Sequence, residues 1–357
     1  MAAAAARWAP VVGLLGLLLL PFAPAPAGAA TPARSPPSSA SSAVFLLSGD
    51  VYPTGHYYVT MNIGDPAKPY FLDVDTGSDL TWLQCDAPCQ SCNKVPHPLY
   101  RPTKNKLVPC ANSICTALHS GSSPNKKCTT QQQCDYQIKY TDKASSLAVD
   151  MTNKWGKMVQ HQQQQTACLG LVGDQLACSH SSSSKGSPRM NYYSPGSATL
   201  YFDRRSLSTK PMEVVFDSGS TYTYFSAQPY QATISAIKGS LRKSLKQVSD
   251  PSLPLCWKGQ KAFKSVSDVK KDFKSLQFIF GKNAVMEIPP ENYLIVTKNG
   301  NVCLGILDGS AAKLSFSIIG DITMQDQMVI YDNEKAQLGW IRGSCSRSPK
   351  SIMSSFP

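Results

Sequence analysis

The sequence predicts a mostly β protein with a few short helices, arranged as two packed lobes. Three observations lead to this fold class. The 357 residues are too many for one small core and suit two domains of ordinary size. The 26 prolines and 23 glycines, with 42% hydrophobic and 16% charged residues, are typical of a turn-rich globular chain. Short apolar runs alternate with Gly, Pro and Asn turns, which predicts strands rather than long helices.

The N-terminal 30 residues have the pattern of a secretion signal. Arg7 precedes an apolar run from Val11 to Phe22, and small residues follow at the cleavage region. This run is too short for a membrane-spanning helix. We therefore expect residues 1–30 to be a removed signal peptide and residues 31–43 to be a flexible leader or short pro-segment.

The rest of the chain shows no signal for membrane attachment. No later stretch is long and apolar enough to cross a bilayer, and the tail over residues 346–357 is too short for a lipid-anchor signal. The mature protein is therefore expected in the secretory pathway, with no membrane partner.

Twelve cysteines fit an exported chain, in which disulfide bonds persist. The cluster of Cys85, Cys89 and Cys92 also has the spacing of part of a zinc site, but no histidine stands at a matching distance. Disulfides are the favoured interpretation, and Cys256 with Cys303 is the favoured pair because both lie in the second lobe. No metal or other cofactor is expected.

The net charge of +12 raises the possibility of a polyanionic partner, either a nucleic acid or an acidic cell-wall polymer. The basic residues are scattered from Lys104 to Lys282, however, and form no stripe interleaved with aromatic residues. An ordinary basic surface is the favoured interpretation, and no nucleic-acid partner is expected.

The first lobe begins with a predicted hairpin that delivers an aspartate to a loop. Tyr57 to Ile63 alternates as a strand, Gly64 to Pro66 makes a turn, and Tyr70 to Val74 returns as a second strand running into Asp75. A strand end is a place where a carboxylate is both held and reachable by substrate.

The second lobe repeats this arrangement, because the apolar strand Met212 to Phe216 runs into Asp217. Apolar residues then recur at three- and four-residue steps, which predicts an amphipathic helix: Tyr230, Ile234, Ile237, Leu241, Leu245 and Val248. Further strands are predicted over Leu276 to Phe280, Tyr293 to Val296, Cys303 to Leu307 and Met328 to Tyr331.

Two related motifs carry the predicted chemistry, Asp75-Thr76-Gly77-Ser78 and Asp217-Ser218-Gly219-Ser220. One copy alone usually marks a tight turn capped by the aspartate. Two copies, each after a matched strand, predict lobes related by a pseudo-twofold axis with both carboxylates at the interface. Such a pair shares one proton, so one carboxylate accepts a proton from water while the other carboxyl polarises a carbonyl.

The flanking residues of both motifs suit this task. Gly77 and Gly219 let backbone amides approach the carboxylates closely. Ser78 and Ser220 can donate hydroxyl hydrogen bonds to the outer carboxylate oxygens, and Thr76 and Ser218 complete the two loops.

The run from Tyr57 to Cys85, with Asp75-Thr76-Gly77-Ser78-Asp79-Leu80-Thr81-Trp82 inside it, resembles the first active-site region of pepsin-family enzymes. The cysteines at 85, 89, 92, 110 and 115 are similar to the cysteine-rich insert of plant nepenthesin- and nucellin-like aspartic proteases. The segments Asp50 to Gly55 and Ile288 to Leu294 resemble the nucellin-like branch. Ile318-Ile319-Gly320-Asp321, followed by Met328 to Asp332 and Leu338 to Trp340, resembles the family's second hydrophobic-hydrophobic-Gly element, and the resemblance implies that this element passes beside the aspartate loop of its own lobe.

This resemblance implies a bilobal pepsin-like acid protease fold with lobes over 44–190 and 191–345. It implies an aspartic endopeptidase, a family that is itself the standard example of a shared-proton carboxyl pair. It also implies a monomer that acts on peptides or proteins in the apoplast or vacuole. The flap tyrosine of the family falls on Tyr140, with the indole of Trp82 as its hydrogen-bond partner. The alternative is an inhibitor-like binding protein with the same fold and no catalysis.

The segment over 143–190 departs from the family pattern. Lys143 to Ala148 contains no glycine where the family has a flap tip, and a Gln-rich run and a Ser run follow. The two aspartates are also closer in sequence than in family members. We expect an incomplete first lobe with loop or disorder over Met151 to Arg189. The segment over 143–190 is interpreted as the product of an aberrant gene model or splice form, and a real but divergent loop is the alternative.

Overall fold

Strands dominate the computed structural model, in agreement with the predicted fold class. The structure describes residues 45–77, 83, 96–101, 108–109, 111–113, 115, 135–139, 145–149, 176–178, 192–207, 210–281, 284–332 and 337–343. These ranges hold twenty strands, two α-helices and several short 3-10 turns. No helix in the described ranges has the length and apolarity that a bilayer span requires.

The first sheet carries the first aspartate loop. It is antiparallel, in the order β1 (Leu47–Asp50), β2 (His56–Gly64), β3 (Ala67–Asp73). The predicted hairpin over residues 57–74 is thereby confirmed. Tyr58 of β2 pairs with Asp73 of β3, so the chain leaves the sheet directly before Asp75.

A larger sheet contains the strand that leads into the second aspartate loop. Its strands follow the order β14-β13-β7-β9-β18-β10-β17, with β8 added beside β7. They are β7 (Tyr193–Phe202), β8 (Arg205–Ser206), β9 (Met212–Phe216), β10 (Thr223–Phe225), β13 (Leu276–Phe280), β14 (Ala284–Ile288), β17 (Ile306–Asp308) and β18 (Ser317–Ile319). The predicted strands at Met212–Phe216 and Leu276–Phe280 match their observed bounds.

The main hydrophobic core lies against this larger sheet. Strand β13 alternates between buried and half-buried residues, and Leu276, Phe278 and Phe280 are almost fully buried. Phe278 meets Phe225 of β10 edge to face, with ring centroids 5.8 Å apart. The alternation that predicted the strand is therefore the alternation that fills the core.

A third sheet, in the order β11-β12-β16-β15, packs beside the main one. Its strands are β11 (Lys246–Asp250), β12 (Leu253–Lys258), β15 (Leu294–Val296) and β16 (Val302–Leu304). Cys256 of β12 and Cys303 of β16 are directly paired and joined by a disulfide with a Cα–Cα distance of 4.0 Å. The predicted pairing of these two cysteines is confirmed.

The predicted amphipathic helix is shorter than the periodicity indicated. Helix α1 spans Ala227–Ser240 and buries Ile234 and Ile237, but Leu241 is already extended with ψ of 144°. The apolar spacing beyond Ser240 comes from a turn and strand β11, whose backbone hydrogen bonds go to β12. The helix prediction is therefore wrong for residues 241–248, where tertiary pairing decides.

The atypical segment over residues 143–190 contains two strands, and one of them lies within Met151 to Arg189, where loop or disorder was expected. Strand β5 (Ser145–Val149) pairs with β4 (Asp135–Lys139), and β6 (Leu176–Cys178) joins β19 (Gln327–Asp332) and β20 (Gln337–Arg342) in a separate sheet. These short segments form strands because a partner strand supplies their backbone hydrogen bonds, which the side-chain pattern does not reveal.

Candidate active site

Each of the two aspartate motifs forms a tight loop at the end of a strand. The amide of Gly77 donates to Asp75 Oδ1 at 2.8 Å, and the amide of Gly219 donates to Asp217 Oδ1 at 2.9 Å. The Ser220 hydroxyl donates to Asp217 Oδ2 at 2.8 Å, as the motif predicts. The sequence repeat therefore becomes a repeat of hydrogen bonds.

The two loops are joined by a reciprocal set of hydrogen bonds. The amide of Thr76 donates to Ser218 Oγ at 3.1 Å, and the amide of Ser218 donates to Thr76 Oγ1 at 3.0 Å. Each hydroxyl also donates to a backbone carbonyl across the junction, Ser218 to Val74 at 2.7 Å and Thr76 to Phe216 at 3.3 Å. Hydroxyl side chains at both positions are what allow this symmetric link.

The loops bring the two carboxyl groups into direct contact. A Cβ placed on Gly77 would collide with the carboxylate of Asp217, and one on Gly219 would collide with that of Asp75. The side chains of Asp75 and Asp217 share a hydrogen bond. Glycine is therefore required at both positions by close approach, as predicted.

Burial raises the pKa of Asp217 above its ordinary value. The hydroxyl of Ser220 and the amide of Gly219 oppose this rise, whereas the charge of Asp75 and the hydrogen bond shared with it add to it. Two carboxyl groups in contact cannot both ionise cheaply, so this pair retains a proton in mildly acidic solution.

The hydrophobic-hydrophobic-Gly element near the C-terminus supports the Asp217 loop. Strand β18 runs parallel to β9, and the amide of Asp217 donates to the carbonyl of Ile319 at 3.0 Å. Gly320 lies against the carbonyls of Ser220 and Tyr222, where a Cβ would collide with both. The prediction that this element passes beside the second loop is confirmed.

Asp321 is a third acid at the site that the sequence reasoning did not single out. Its amide donates to the carbonyl of Ser220 at 2.8 Å, and the residue is only 7% exposed. Burial raises the pKa of Asp321 to about 8, with added contributions from the charges of Asp217, Asp73 and Asp75. In the sequence it stands only as the last residue of the Ile318–Asp321 motif.

Tyrosines of the second half complete the surroundings of the pair. Tyr331 lies under the linked loops, where its hydroxyl hydrogen-bonds the side chain of Thr76 and its ring packs on Tyr193 at a centroid distance of 4.5 Å. Burial and the charges of Asp217 and Asp75 raise the pKa of Tyr192. Nothing in the local sequence of Tyr192 and Tyr193 marks them as site residues.

Three predicted site residues, Ser78, Trp82 and Tyr140, lie outside the described residues. The strands that flank Tyr140 in sequence are described. Strands β4 and β5 form an antiparallel hairpin in which Lys139 pairs with Ser145. The predicted zinc or disulfide cluster at Cys85, Cys89 and Cys92 also lies outside the described ranges.

One group of metal-ligating residue types occurs away from the aspartate loops. Asp250, Cys256 and Cys303 place their ligand atoms within 4.8 Å of one another. The two sulfurs are bonded to each other, and the Asp250 carboxylate accepts hydrogen bonds from Thr297, Asn299 and Asn301. These three residues therefore stabilise the fold through a disulfide and internal hydrogen bonds, and they do not form a metal site.

Comparisons with known proteins agree with this geometry. Two family models match the chain, "Xylanase inhibitor N-terminal" over residues 57–189 and "Xylanase inhibitor C-terminal" over residues 194–341. An aspartic proteinase of Oryza sativa subsp. japonica is 44% identical over 387 aligned positions, covering 88% of this chain and 94% of that protein. The chain belongs to the plant pepsin-like aspartic proteases.

More distant relatives of the protease agree with this assignment. Aspartic proteinase nepenthesin-1 of Nepenthes gracilis is 25% identical over 377 positions, covering 87% of this chain and 82% of that protein. A solved structure titled "Crystal structure of edgp" superposes with a TM-score of 0.57 at 15% identity, over 84% of this chain and 94% of that one. This likeness shows the pepsin-like fold.

The family assignment makes the protein an aspartic-type endopeptidase whose substrates are peptides or proteins. The alignment with the rice proteinase is longer than this chain's own 357 residues, so that relative contains segments that this protease lacks.

Proposed function

We propose that Asp75 and Asp217 are the catalytic pair of this endopeptidase. The observation that carries the proposal is their direct contact: the carboxyl groups share a hydrogen bond inside two loops that are locked together. Thr76, Gly77, Ser218, Gly219 and Ser220 hold the pair, and the motif assigns the same role to Ser78. Glycine at both loop positions and hydroxyls at both linking positions are the features that a shared-proton pair requires.

The geometry supports a mechanism of water activation. One carboxylate accepts a proton from a bound water, whose oxygen attacks the carbonyl carbon of the scissile peptide bond. The proton held by the pair passes to the carbonyl oxygen, which gives a neutral tetrahedral diol. The diol then returns a hydroxyl proton to one carboxylate of the pair, and the other carboxyl group gives the proton that it took from water to the amide nitrogen. The carbon–nitrogen bond breaks, which releases a carboxylic acid and an amine.

The hydrogen bonds to Asp217 suit a carboxyl group that gains and loses a proton during the reaction. Its two oxygens are held by the amide of Gly219 and the hydroxyl of Ser220, so the carboxyl group stays in place while its protonation changes. Fixed donors that need no reorganisation are the usual source of catalytic power in such sites.

The flap and the substrate preference complete the proposal. Tyr140 would cover the substrate and Trp82 would hold its hydroxyl, and the β4–β5 hairpin on both sides of Tyr140 supports this assignment. Substrates with bulky apolar residues on either side of the scissile bond follow from the family resemblance. The half-buried rings of Tyr192 and Phe316, 5.5 Å apart near the pair, would favour such residues.

The proposed setting is the extracellular space or the vacuole, where a monomer with lobes over 44–190 and 191–345 would act. The signal-like N-terminus and the twelve cysteines support export. Two family models that meet between residues 189 and 194 support the two lobes.

A second candidate function is inhibition by binding, without catalysis. The names of the two family models, which refer to a xylanase inhibitor, favour this alternative. The contact between Asp75 and Asp217 favours catalysis, because a binding protein has no need for two carboxyl groups that share a proton.

The experiment uses protein secreted from the full-length chain and a denatured protein substrate near pH 4. Cleavage that a statine-type inhibitor blocks, and that is lost in Asp75→Asn, supports the proposal. Asp65→Asn, an exposed aspartate in the β2–β3 turn, is the matched control and retains activity. A folded, soluble and inert wild-type protein would overturn the proposal in favour of the binding alternative.

A further inference from the structure

The basic residues that are scattered in the sequence converge on one surface of the third sheet. Five exposed lysines from four segments meet there, and we call them the lysine face: Lys246, Lys258, Lys261, Lys264 and Lys298. This convergence is a product of the fold, because the sequence showed no basic stripe.

Backbone contacts fix the neighbourhood of these lysines. Lys246 of β11 lies directly opposite Lys258 of β12, so both side chains project from the same side of the sheet. The loop after Lys258 folds back, because the amide of Phe263 donates to the carbonyl of Gly300 at 2.9 Å. This contact places Lys261 and Lys264 beside the turn that carries Lys298.

Ion pairs do not neutralise the charges of the lysine face within the described part of the chain. None of the five lysines forms an ion pair there, whereas Lys270 pairs with Glu291 at 2.8 Å and Arg242 pairs with Asp272. The buried carboxylate of Asp250 is occupied by internal donors. The exposed carboxylate of Asp268 accepts the backbone amides of Lys264 and Ser265 and also lies near enough to the charge of Lys264 for the two to attract.

Like charges directly opposite each other destabilise a sheet. Lys246 and Lys258 occupy such a pair, with no acidic residue between them. An unneutralised cluster that costs stability indicates a surface whose charge is used by a partner.

We propose that the lysine face binds an acidic polysaccharide of the polyuronate class, whose sugars each carry one carboxylate. Lysine presents a compact charge on a flexible stem and suits a polymer whose carboxylates are spaced along a chain. The inference goes beyond the proposed peptidase function, because the face lies outside the aspartate loops and would hold the enzyme on a matrix.

Two other polyanions fit the surface less well. Single-stranded nucleic acid needs exposed aromatic rings for base stacking, but Trp257 is buried and Phe263 packs its ring against Gly259. Membrane surfaces favour apolar side chains that insert, and the exposed large apolar residues of the described chain lie on β1 and β20 or just before β1.

The test measures binding of the full-chain product to polygalacturonate at about pH 5.5, over about 50 to 300 mM salt. The triple variant Lys246→Gln, Lys258→Gln, Lys298→Gln is compared with Lys68→Gln, Arg205→Gln, Lys313→Gln, which removes the same charge from exposed sites on other elements. We expect the first triple to lose about tenfold or more in affinity and to bind with a shallower salt dependence. The control triple should change little.

Further measurements keep the result interpretable. The melting temperature of the first triple should stay the same or rise, because a like-charge pair is removed. Its cleavage of a soluble peptide should be unchanged, which separates this inference from the proposed catalysis. Equal losses in both triples, binding to fully methyl-esterified polygalacturonate, or tighter binding to single-stranded DNA or anionic vesicles would each overturn the proposal.

Discussion

Individual atoms decide whether Asp75 and Asp217 can share a proton, because each carboxyl group lies against the backbone of the opposite loop. The Cα of Gly219 faces the carboxylate of Asp75, and the Cα of Gly77 faces that of Asp217. Each carboxyl group is therefore held directly against the glycine of the opposite loop.

This closeness predicts a large effect of one methyl group. Gly219→Ala would place its Cβ against the Asp75 carboxylate and displace it. We expect kcat/KM to fall by about 100-fold, since small displacements of reacting groups have costs of that order. Gly239→Ala is the matched control, because no atom lies within 4 Å of a Cβ at that helical position. That variant should keep full activity and gain about 0.5 to 1 kcal/mol in stability.

The buried acid beside the pair predicts a pH-dependent effect on stability. The pKa of Asp321 is raised to about 8 in the folded protein, against about 4 when unfolded. The folded state therefore binds the extra proton, and the stability contribution of this residue falls as pH rises from about 4 to 8. Asp321→Asn, which mimics the neutral carboxyl, should match the wild type near pH 4 and be more stable at pH 7.

Urea unfolding at both pH values measures this difference. The exposed residue Asp326 provides the control variant Asp326→Asn, for which we expect no change in either condition. Equal stability of Asp321→Asn and wild type at pH 7 would contradict the assignment of a raised pKa to Asp321.

At the scale of elements, the third sheet is tied together by one buried carboxylate. Asp250 ends strand β11 and accepts the amide of Ser252 at 3.0 Å, together with side-chain donors from Thr297, Asn299 and Asn301. Burial alone would raise the pKa of Asp250, but these hydrogen bonds outweigh it and hold the pKa well below its usual range. The carboxylate therefore stays ionised in acid.

Removal of this charge should weaken the whole sheet. In Asp250→Asn, an NH2 group replaces one carboxylate oxygen, so some of the surrounding donors lose their acceptor. We expect the free energy of unfolding to fall by about 2 to 3 kcal/mol. Because the folded pKa is depressed, the stabilisation is complete above the unfolded pKa of about 4 and is lost progressively at lower pH. The gap in urea midpoint between wild type and variant should therefore be constant from pH 5 to 7 and narrow below pH 4. A gap that does not depend on pH would contradict this account.

The linked aspartate loops are the second element whose contacts make a prediction. Ser218→Ala removes the acceptor of the Thr76 amide and the donor to the Val74 carbonyl. We expect a loss of about 1 to 3 kcal/mol in stability and of tenfold or more in kcat. Ser218→Thr keeps the hydroxyl and should retain most of the stability and most of the kcat of the wild type. Similar losses of stability and kcat in Ser218→Ala and Ser218→Thr would contradict a role for the Ser218 hydroxyl in linking the two loops.

At the scale of the whole molecule, the segment before β2 fastens the first sheet to the second half of the chain. Val51 is buried in a cluster with Leu253 and Ile295, and the Tyr52 hydroxyl accepts the amide of Lys298 at 3.2 Å. Gln325 donates to the Tyr57 hydroxyl, also at 3.2 Å. These contacts hold Asp75 in position independently of the loops themselves.

Several features of the fold and the site could be predicted from the sequence. The strand before Asp217 followed from its apolar run, and the passage of Ile318–Gly320 beside the loop followed from the motif. The pairing of Cys256 with Cys303 followed from their common place in the second lobe. The strand predicted over residues 303–307 was divided in two at Gly305, whose amide and carbonyl bond to different neighbours.

Features that depend on distant pairing were missed. Leu245 and Val248 continue the helical period of α1 but belong to a turn and to β11. The short strand Leu176–Cys178 exists because β20 pairs with it. Asp321, Tyr192 and Tyr193 join the site through the fold, and no spacing in the sequence relates them to Asp75. The lysine face likewise arises only when β11, β12 and two loops are assembled.

The most direct test of the paired carboxylates is a double-mutant comparison of peptide hydrolysis. Asp75→Asn, Asp217→Asn and the double variant are assayed beside wild type near pH 4, with circular dichroism to show that each is folded. Residues that act as one unit are strongly non-additive, so each single variant should lose about a thousandfold or more in kcat and the double variant should be no worse. A single variant that keeps substantial activity, or losses that multiply in the double variant, would contradict the shared-proton pair.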